Sequence, residues 1–232
     1  MKDNGIHSDD NLSQQKNLVD SWRVFRIMAE FVDGFETMTS LGPSVAIFGS
    51  TNTNPKETKY YDLAEEIAEQ IAKKGFSIIT GGGPGIMERA NQGAQKAKGH
   101  SCGLCIKLPN EPRPNPYIDP KYELNFRYFF VRKVMFVRYA QAFVVLPGGF
   151  GTLDELFEAL TLIQTGKIKH FPVYLVGKEY WQGLLDWLRN PVLAYGNIQP
   201  ADLDLIRICD DPEEIANDIA KHYQESKSLE NF

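Results

Sequence analysis

Short, continuously apolar segments alternate with stretches of helical spacing along most of this chain, and that alternation leaves few folds open. Residues 45–48, 76–79, 101–106, 143–146, 172–176 and 205–209 read as strands, with a further short one at 122–126. Between them, apolar residues recur at helical spacing: Tyr60, Ala64, Ile67, Ala68 and Ile71 make one face, and Met87, Ala90 and Ala94 another. Helices are likewise expected at 128–140, 153–165, 181–188 and 212–223. Strands that are apolar on both faces and alternate with helices form a parallel sheet covered on both sides. The fold class expected is therefore α/β, a Rossmann-like doubly wound parallel sheet. A helix over residues 18–39, carrying Trp22, Phe25, Ile27, Met28, Phe31 and Phe35, should pack on its outside. Residues 1–17 are polar and expected as a disordered tail, with 18–232 as one domain.

Charge and leader composition narrow the function. With 25 Lys and Arg against 30 Asp and Glu, the net charge is −5, which disfavours a nucleic-acid surface. The polar start lacks the apolar core of a secretory signal, and aliphatic runs such as 142–146 are far too short to cross a bilayer, so a cytoplasmic protein without membrane partners is expected. Cys102 and Cys105 have the spacing of a redox or zinc half-site. In a strand, however, residues three apart point to opposite faces, and no second pair exists, so buried structural thiols and no metal are expected.

In doubly wound sheets, ligands bind beyond the carboxyl ends of the strands. Three strand ends here run into small-residue turns: Gly49-Ser50, Gly81 to Gly85, and Gly148-Gly149-Phe150-Gly151-Thr152. Unpaired backbone N–H groups and the helix dipole attract anions at such places, and glycine lets the backbone close on a phosphate. Neither dense turn is a dinucleotide fingerprint or a P-loop, which argues against dehydrogenases and NTPases. Candidate binding residues are Gly49, Ser50, Gly82, Gly83, Met87, Glu88, Gly148, Gly149, Gly151, Thr152 and Asp154.

Two charged positions invite chemistry. Thr152-Leu153-Asp154-Glu155 fits a capping box, in which Glu155 only satisfies the start of its helix; alternatively its carboxylate faces whatever the glycine turn holds. Glu155 falls off the apolar stripe of Leu153, Leu156, Phe157, Leu160 and Ile163. Arg132 and Lys133 sit in a segment that is apolar nearly all round, where a charge needs a partner; a phosphate or Glu155 would serve, and snorkelling to solvent is the competing reading. Glu88 is open to both a solvent-facing and a pocket-facing reading. The five prolines of 109–120 exclude helix and central strand and read as an ordered irregular loop or lid.

The stretch from Pro147 to Glu155 matches the motif PGGxGTxxE, with Arg132-Lys133 fifteen and fourteen residues before its proline. Together with Thr80-Gly81-Gly82-Gly83-Pro84-Gly85-Ile86-Met87-Glu88, it resembles the LOG (Lonely Guy) family over about residues 45–188. The resemblance implies hydrolysis of the N-glycosidic bond of a nucleoside 5′-monophosphate, AMP or a cytokinin riboside monophosphate, to free base and ribose 5-phosphate. It implies Arg132 and Glu155 as the catalytic pair, phosphate contacts at the glycine turn and Thr152, and Lys133 beside the substrate. It further implies a homodimer or higher homo-oligomer, for which the aromatic segments around 22–35 and 128–136 could supply the surface. The family's older label is lysine decarboxylase, but the Ser-x-His-Lys motif for pyridoxal phosphate is missing, so no cofactor is expected. A nucleotide- or pterin-binding carrier without hydrolysis is the alternative on the same fold.

Overall fold

A computed structural model describes residues 7–52, 58–107, 113–226 and 231. The chain runs α1 (His7–Thr39), β1 (Ser44–Phe48), α2 (Thr58–Lys73), β2 (Ser77–Thr80), α3 (Ile86–Lys96) and β3 (Ser101–Ile106). It continues β4 (Glu123–Phe126), α4 (Phe129–Tyr139), β5 (Ala140–Val145), α5 (Phe150–Gln164), β6 (Val173–Leu175), α6 (Lys178–Trp187), β7 (Ile206–Ile208) and α7 (Pro212–Ser226). The strands form one sheet in the order β4-β3-β2-β1-β5-β6-β7, and every neighbouring pair is parallel. This is the Rossmann-like doubly wound sheet expected from the alternation, with α1 added outside it.

Strands β1 to β3 step outward in one direction and β5 to β7 in the other, so the order reverses between β1 and β5. The carboxyl ends of these two strands are joined by backbone bonds: Leu146 N–H donates to the Phe48 carbonyl and Ser50 N–H to the Pro147 carbonyl, each at 2.9 Å. The first and third small-residue turns therefore emerge side by side at the switch point.

Each face of the sheet has its own apolar layer. Phe136, Phe143, Leu156 and Trp181 belong to the layer beneath α1, α4, α5 and α6. Ala64, Ile67, Ile86, Ala90 and Ile215 belong to the one beneath α2, α3 and α7. Cys102 and Cys105 are buried and point to opposite faces of β3, as their spacing requires. The Cys102 thiol lies 3.7 Å from the Met38 sulfur, while Cys105 lies against Gly82.

Three expectations are corrected. Helix α1 begins at His7, so residues 7–17 of the expected tail are helical; apolar spacing is blind to a polar extension of a helix. The aromatics of that segment do not all fill the core either. Ile27 and Phe31 pack on the domain, while Trp22, Phe25, Met28 and Val32 stay 54–62% exposed. Helix α4 is not buried all round: Val131, Met135, Phe136 and Val137 are, but Phe129 and Phe130 at its first turn are about half exposed. An apolar sequence does not reveal which end of a helix its neighbours leave uncovered.

Candidate active site

A cavity of about 390 Å³ opens where the three turns converge, at the switch point. Gly49, Ser50 and Thr51 wall it from the end of β1, and Gly81 and Met87 from the turn after β2. Gly149, Phe150, Gly151, Thr152, Asp154 and Glu155 wall it from the start of α5, and Phe129 and Arg132 from α4. A larger groove of about 730 Å³ lies between α2 and α6, but several of its polar groups are used on one another: Lys59 and Tyr60 both bond to Glu179, and Asp210 accepts from the Gly177 N–H. Chemistry favours the smaller cavity.

The local sequence explains the shape. Helix α5 starts at Phe150 with Gly149 as its N-cap and no side chain in the capping role. Its first-turn N–H groups have no acceptor within the helix, and they face a cavity at the positive end of a fifteen-residue helix. A Cβ on Gly148 would collide with the Thr152 hydroxyl, so glycine there is what allows that side chain to fold against the turn. A Cβ on Gly81 would collide with the Arg132 guanidinium, so the second turn is shaped around Arg132.

The capping-box reading of Glu155 fails. With Gly149 as N-cap, Thr152 is the third helical residue and Glu155 the sixth, too far along to reach an N-terminal N–H. Glu155 also lies on the buried stripe rather than off it: Thr152, Glu155, Leu156, Ala159 and Ile163 are the buried residues of α5. The carboxyl is only 7% exposed, and its Oε2 has no hydrogen-bond partner. A buried carboxylate oxygen without a donor is costly to a fold, which is the mark of a group kept for something other than stability. Burial raises its pKa, while the Lys133 and Arg132 charges pull it back; the balance lies at about 7, against 4.5 in the open.

Arg132 is held on several sides. Its Nε donates to the Leu104 carbonyl at 2.7 Å, its guanidinium stands 5.4 Å from the Phe136 ring centre, and its outer nitrogen occupies the space beside Gly81. Snorkelling to solvent is thus not its arrangement. Lys133 turns back to α5, where it pairs with Asp154 at 2.8 Å and Glu158 at 3.1 Å. It faces the acids around Glu155 rather than the cavity. Replacing Lys133 by Met should therefore raise the Glu155 pKa above 7, because the largest opposing charge is removed; a carboxyl resonance or a pH–rate profile would report it.

Of the residues singled out from sequence, Gly49, Ser50, Met87, Arg132, Gly149, Gly151, Thr152, Asp154 and Glu155 meet at the cavity. Gly82 and Gly83 do not line it; their carbonyls are turned to Asn115. Gly148 lies behind Thr152, with its carbonyl accepting from the Tyr180 hydroxyl at 2.7 Å. Glu88 is half-buried on α3, outside the lining. Phe48, Thr51, Gly81, Phe129 and Phe150 line the cavity and were not among the candidates. Gly81 and Phe150 stood inside the two recognised turns, whereas Phe129 read as core because apolar spacing cannot show which end of a helix is uncovered.

Known proteins resemble this chain in sequence and in fold. Residues 87–219 match the family model described as possible lysine decarboxylase. A probable cytokinin riboside 5′-monophosphate phosphoribohydrolase of Oryza sativa subsp. japonica is 31% identical over 159 residues, covering 66% of this chain and 71% of that protein. A second rice protein, cytokinin riboside 5′-monophosphate phosphoribohydrolase LOG, is 31% identical over 143 residues, or 60% of this chain and 54% of its own length. Among solved structures, the molybdenum cofactor binding protein of Rippkaea orientalis superposes with a TM-score of 0.54 at 24% identity, over 78% of this chain and 96% of the other, which shows a shared fold. With the family model covering more than half of its residues, and with the glycine turn and the Arg132–Glu155 pair at one cavity, this chain belongs to the possible lysine decarboxylase family, the family that includes the LOG proteins.

Proposed function

We propose that this protein hydrolyses the N-glycosidic bond of a nucleoside 5′-monophosphate, releasing the base and ribose 5-phosphate. The observation that carries the reading is the buried carboxyl of Glu155, whose Oε2 has no hydrogen-bond partner, set in a cavity that also holds Arg132 and the amino end of α5. The family's rice members, named for this reaction on cytokinin riboside monophosphates, support it.

Each part has work that suits it. The 5′-phosphate would sit on the N–H groups of Gly149, Phe150 and Gly151, with the Thr152 hydroxyl beside it. Departure of the base leaves positive charge on the ribose ring, and an ionised Glu155 stabilises that charge in a site where water screens little. A carboxyl that titrates near 7 can also accept the proton of the attacking water at physiological pH. Arg132, reaching the cavity from α4, offsets the phosphate charge or assists the leaving base. Gly82, Gly83, Lys133 and Gly148 support these groups from behind.

The reading includes one catalytic domain that self-associates through the exposed apolar residues of α1 and the first turn of α4. Light scattering that returned the mass of one chain would remove that part. The main test is incubation of the purified protein with AMP and with isopentenyladenosine monophosphate, followed by chromatography for the free base. Release of adenine or its derivative from either supports hydrolysis; tight binding without release would instead make the protein a nucleotide carrier.

A further inference from the structure

The structure assigns Asn115, on the described end of the proline-rich segment, as a positioning residue for ligand binding at the cavity; this rests on reading that cavity as a nucleotide site. Asn115 is 6% exposed, and its backbone N–H and both side-chain polar atoms are engaged. Its backbone N–H donates to the Gly82 carbonyl at 2.9 Å. Its side-chain Nδ2 donates to the Gly83 carbonyl at 3.1 Å and to Asn91 Oδ1 at 2.9 Å, and its Oδ1 accepts from the Tyr117 N–H at 3.2 Å. One residue thus grips two successive carbonyls of the second glycine turn.

The grip is anchored deeper in the fold. Asn91, fully buried on α3, accepts from the Thr80 hydroxyl at 2.6 Å and donates to the Ser101 hydroxyl at 2.8 Å. Thr80 Oγ1 in turn accepts from the Gly82 N–H at 3.0 Å. The turn is therefore held from inside by Thr80 and from outside by Asn115, through one connected buried network, and such networks are rigid.

The arrangement bears on an anionic ligand in two ways. The Gly82–Gly83 peptide bond is trans, so the N–H of Gly83 points opposite to the Gly82 carbonyl and away from Asn115. Both carbonyl oxygens, which would repel a phosphate, are held toward Asn115, outside the cavity lining. Further, Gly81 is the seat of the Arg132 guanidinium and packs against Met87, both in the cavity wall. Loosening the Gly82–Gly83 carbonyls moves that seat. The segment at 113–119 is the ordered irregular loop that its prolines predict, and it acts as a fixed strap on the turn; residues 108–112 lie outside the described residues.

The test is steady-state hydrolysis of AMP by Asn115→Ala and Asn115→Asp, the second keeping size and the acceptor while losing both side-chain donations. The expected result is a KM raised about tenfold or more with kcat within about threefold, because the altered turn weakens holding more than chemistry. Thr80→Val, which releases the same turn from inside, should reproduce the split and carries the test if the Asn115 variants do not fold. Folded variants whose KM equals that of the wild type would overturn the assignment, as would equal falls in kcat and kcat/KM at unchanged KM. Should the wild type bind AMP by calorimetry without hydrolysing it, the proposed function fails while this inference is read from the same tenfold weakening in Kd. A wild type that does neither overturns both.

Discussion

Glu155→Gln should lower kcat for AMP hydrolysis by about two to three orders of magnitude and, at pH 8, make the protein more stable. The two effects share one cause. The carboxyl is held where burial raises its pKa to about 7, and its Oε2 has no donor. Between pH 4.5 and 7 the folded protein keeps a proton that the unfolded chain has released, so stability falls as pH rises through that window and stays low above it. At full ionisation, the displacement from 4.5 to about 7 corresponds to roughly 3 kcal/mol of lost stability. Glutamine never ionises and avoids that loss. Melting temperatures of wild type and variant should therefore diverge at pH 8 and converge near pH 5. A fall in kcat smaller than about tenfold would remove Glu155 from the catalytic role. Equal melting temperatures at pH 8 would show that the ionised carboxylate is better solvated than its burial implies.

Arg132→Ala should cost about a thousandfold in kcat/KM and shift the pH profile as well. The guanidinium is one of two charges that lower the Glu155 pKa, so its removal should move the acidic limb of the rate profile above 7. It also leaves the Leu104 carbonyl without its donor and opens a void beside Gly81. Arg132→Lys keeps the charge but not the planar fork that satisfies Leu104 and the ligand at once, so it should recover the pH limb while recovering little of the rate. A profile unmoved in Arg132→Ala would mean that the two side chains do not interact through the cavity.

Much of the architecture was legible in the chain because burial on both faces leaves a plain mark. The runs around Ile47, Ile78, Leu104 and Val144 are apolar without alternation, and each is a parallel strand. The glycine turns were legible for a similar reason: backbone at a strand's carboxyl end that must approach other groups closely excludes a Cβ, as Gly81 and Gly148 show. The nine-residue stretch ending at Glu155 pointed to its partner Arg132 through resemblance, and both reach the same cavity.

What the sequence by itself determined was the order of elements, the doubly wound sheet, and the three turns at which a ligand could sit, since these follow from local periodicity and from the conformations only glycine adopts easily. What only the tertiary structure decided was the state of each polar group. Whether Thr152 caps or lies inside α5 depends on where the helix starts, and Gly149 moves that start three residues earlier than the capping pattern suggests. Whether Glu155 is exposed or buried depends on α4 and the neighbouring turns closing over it. That Lys133 pairs with Asp154 and Glu158 while Arg132 reaches Gly81, and that Asn115 grips a turn more than thirty residues away, are long-range contacts. Local spacing carries no trace of them, because solvation and pairing are set by whichever segments the fold brings alongside.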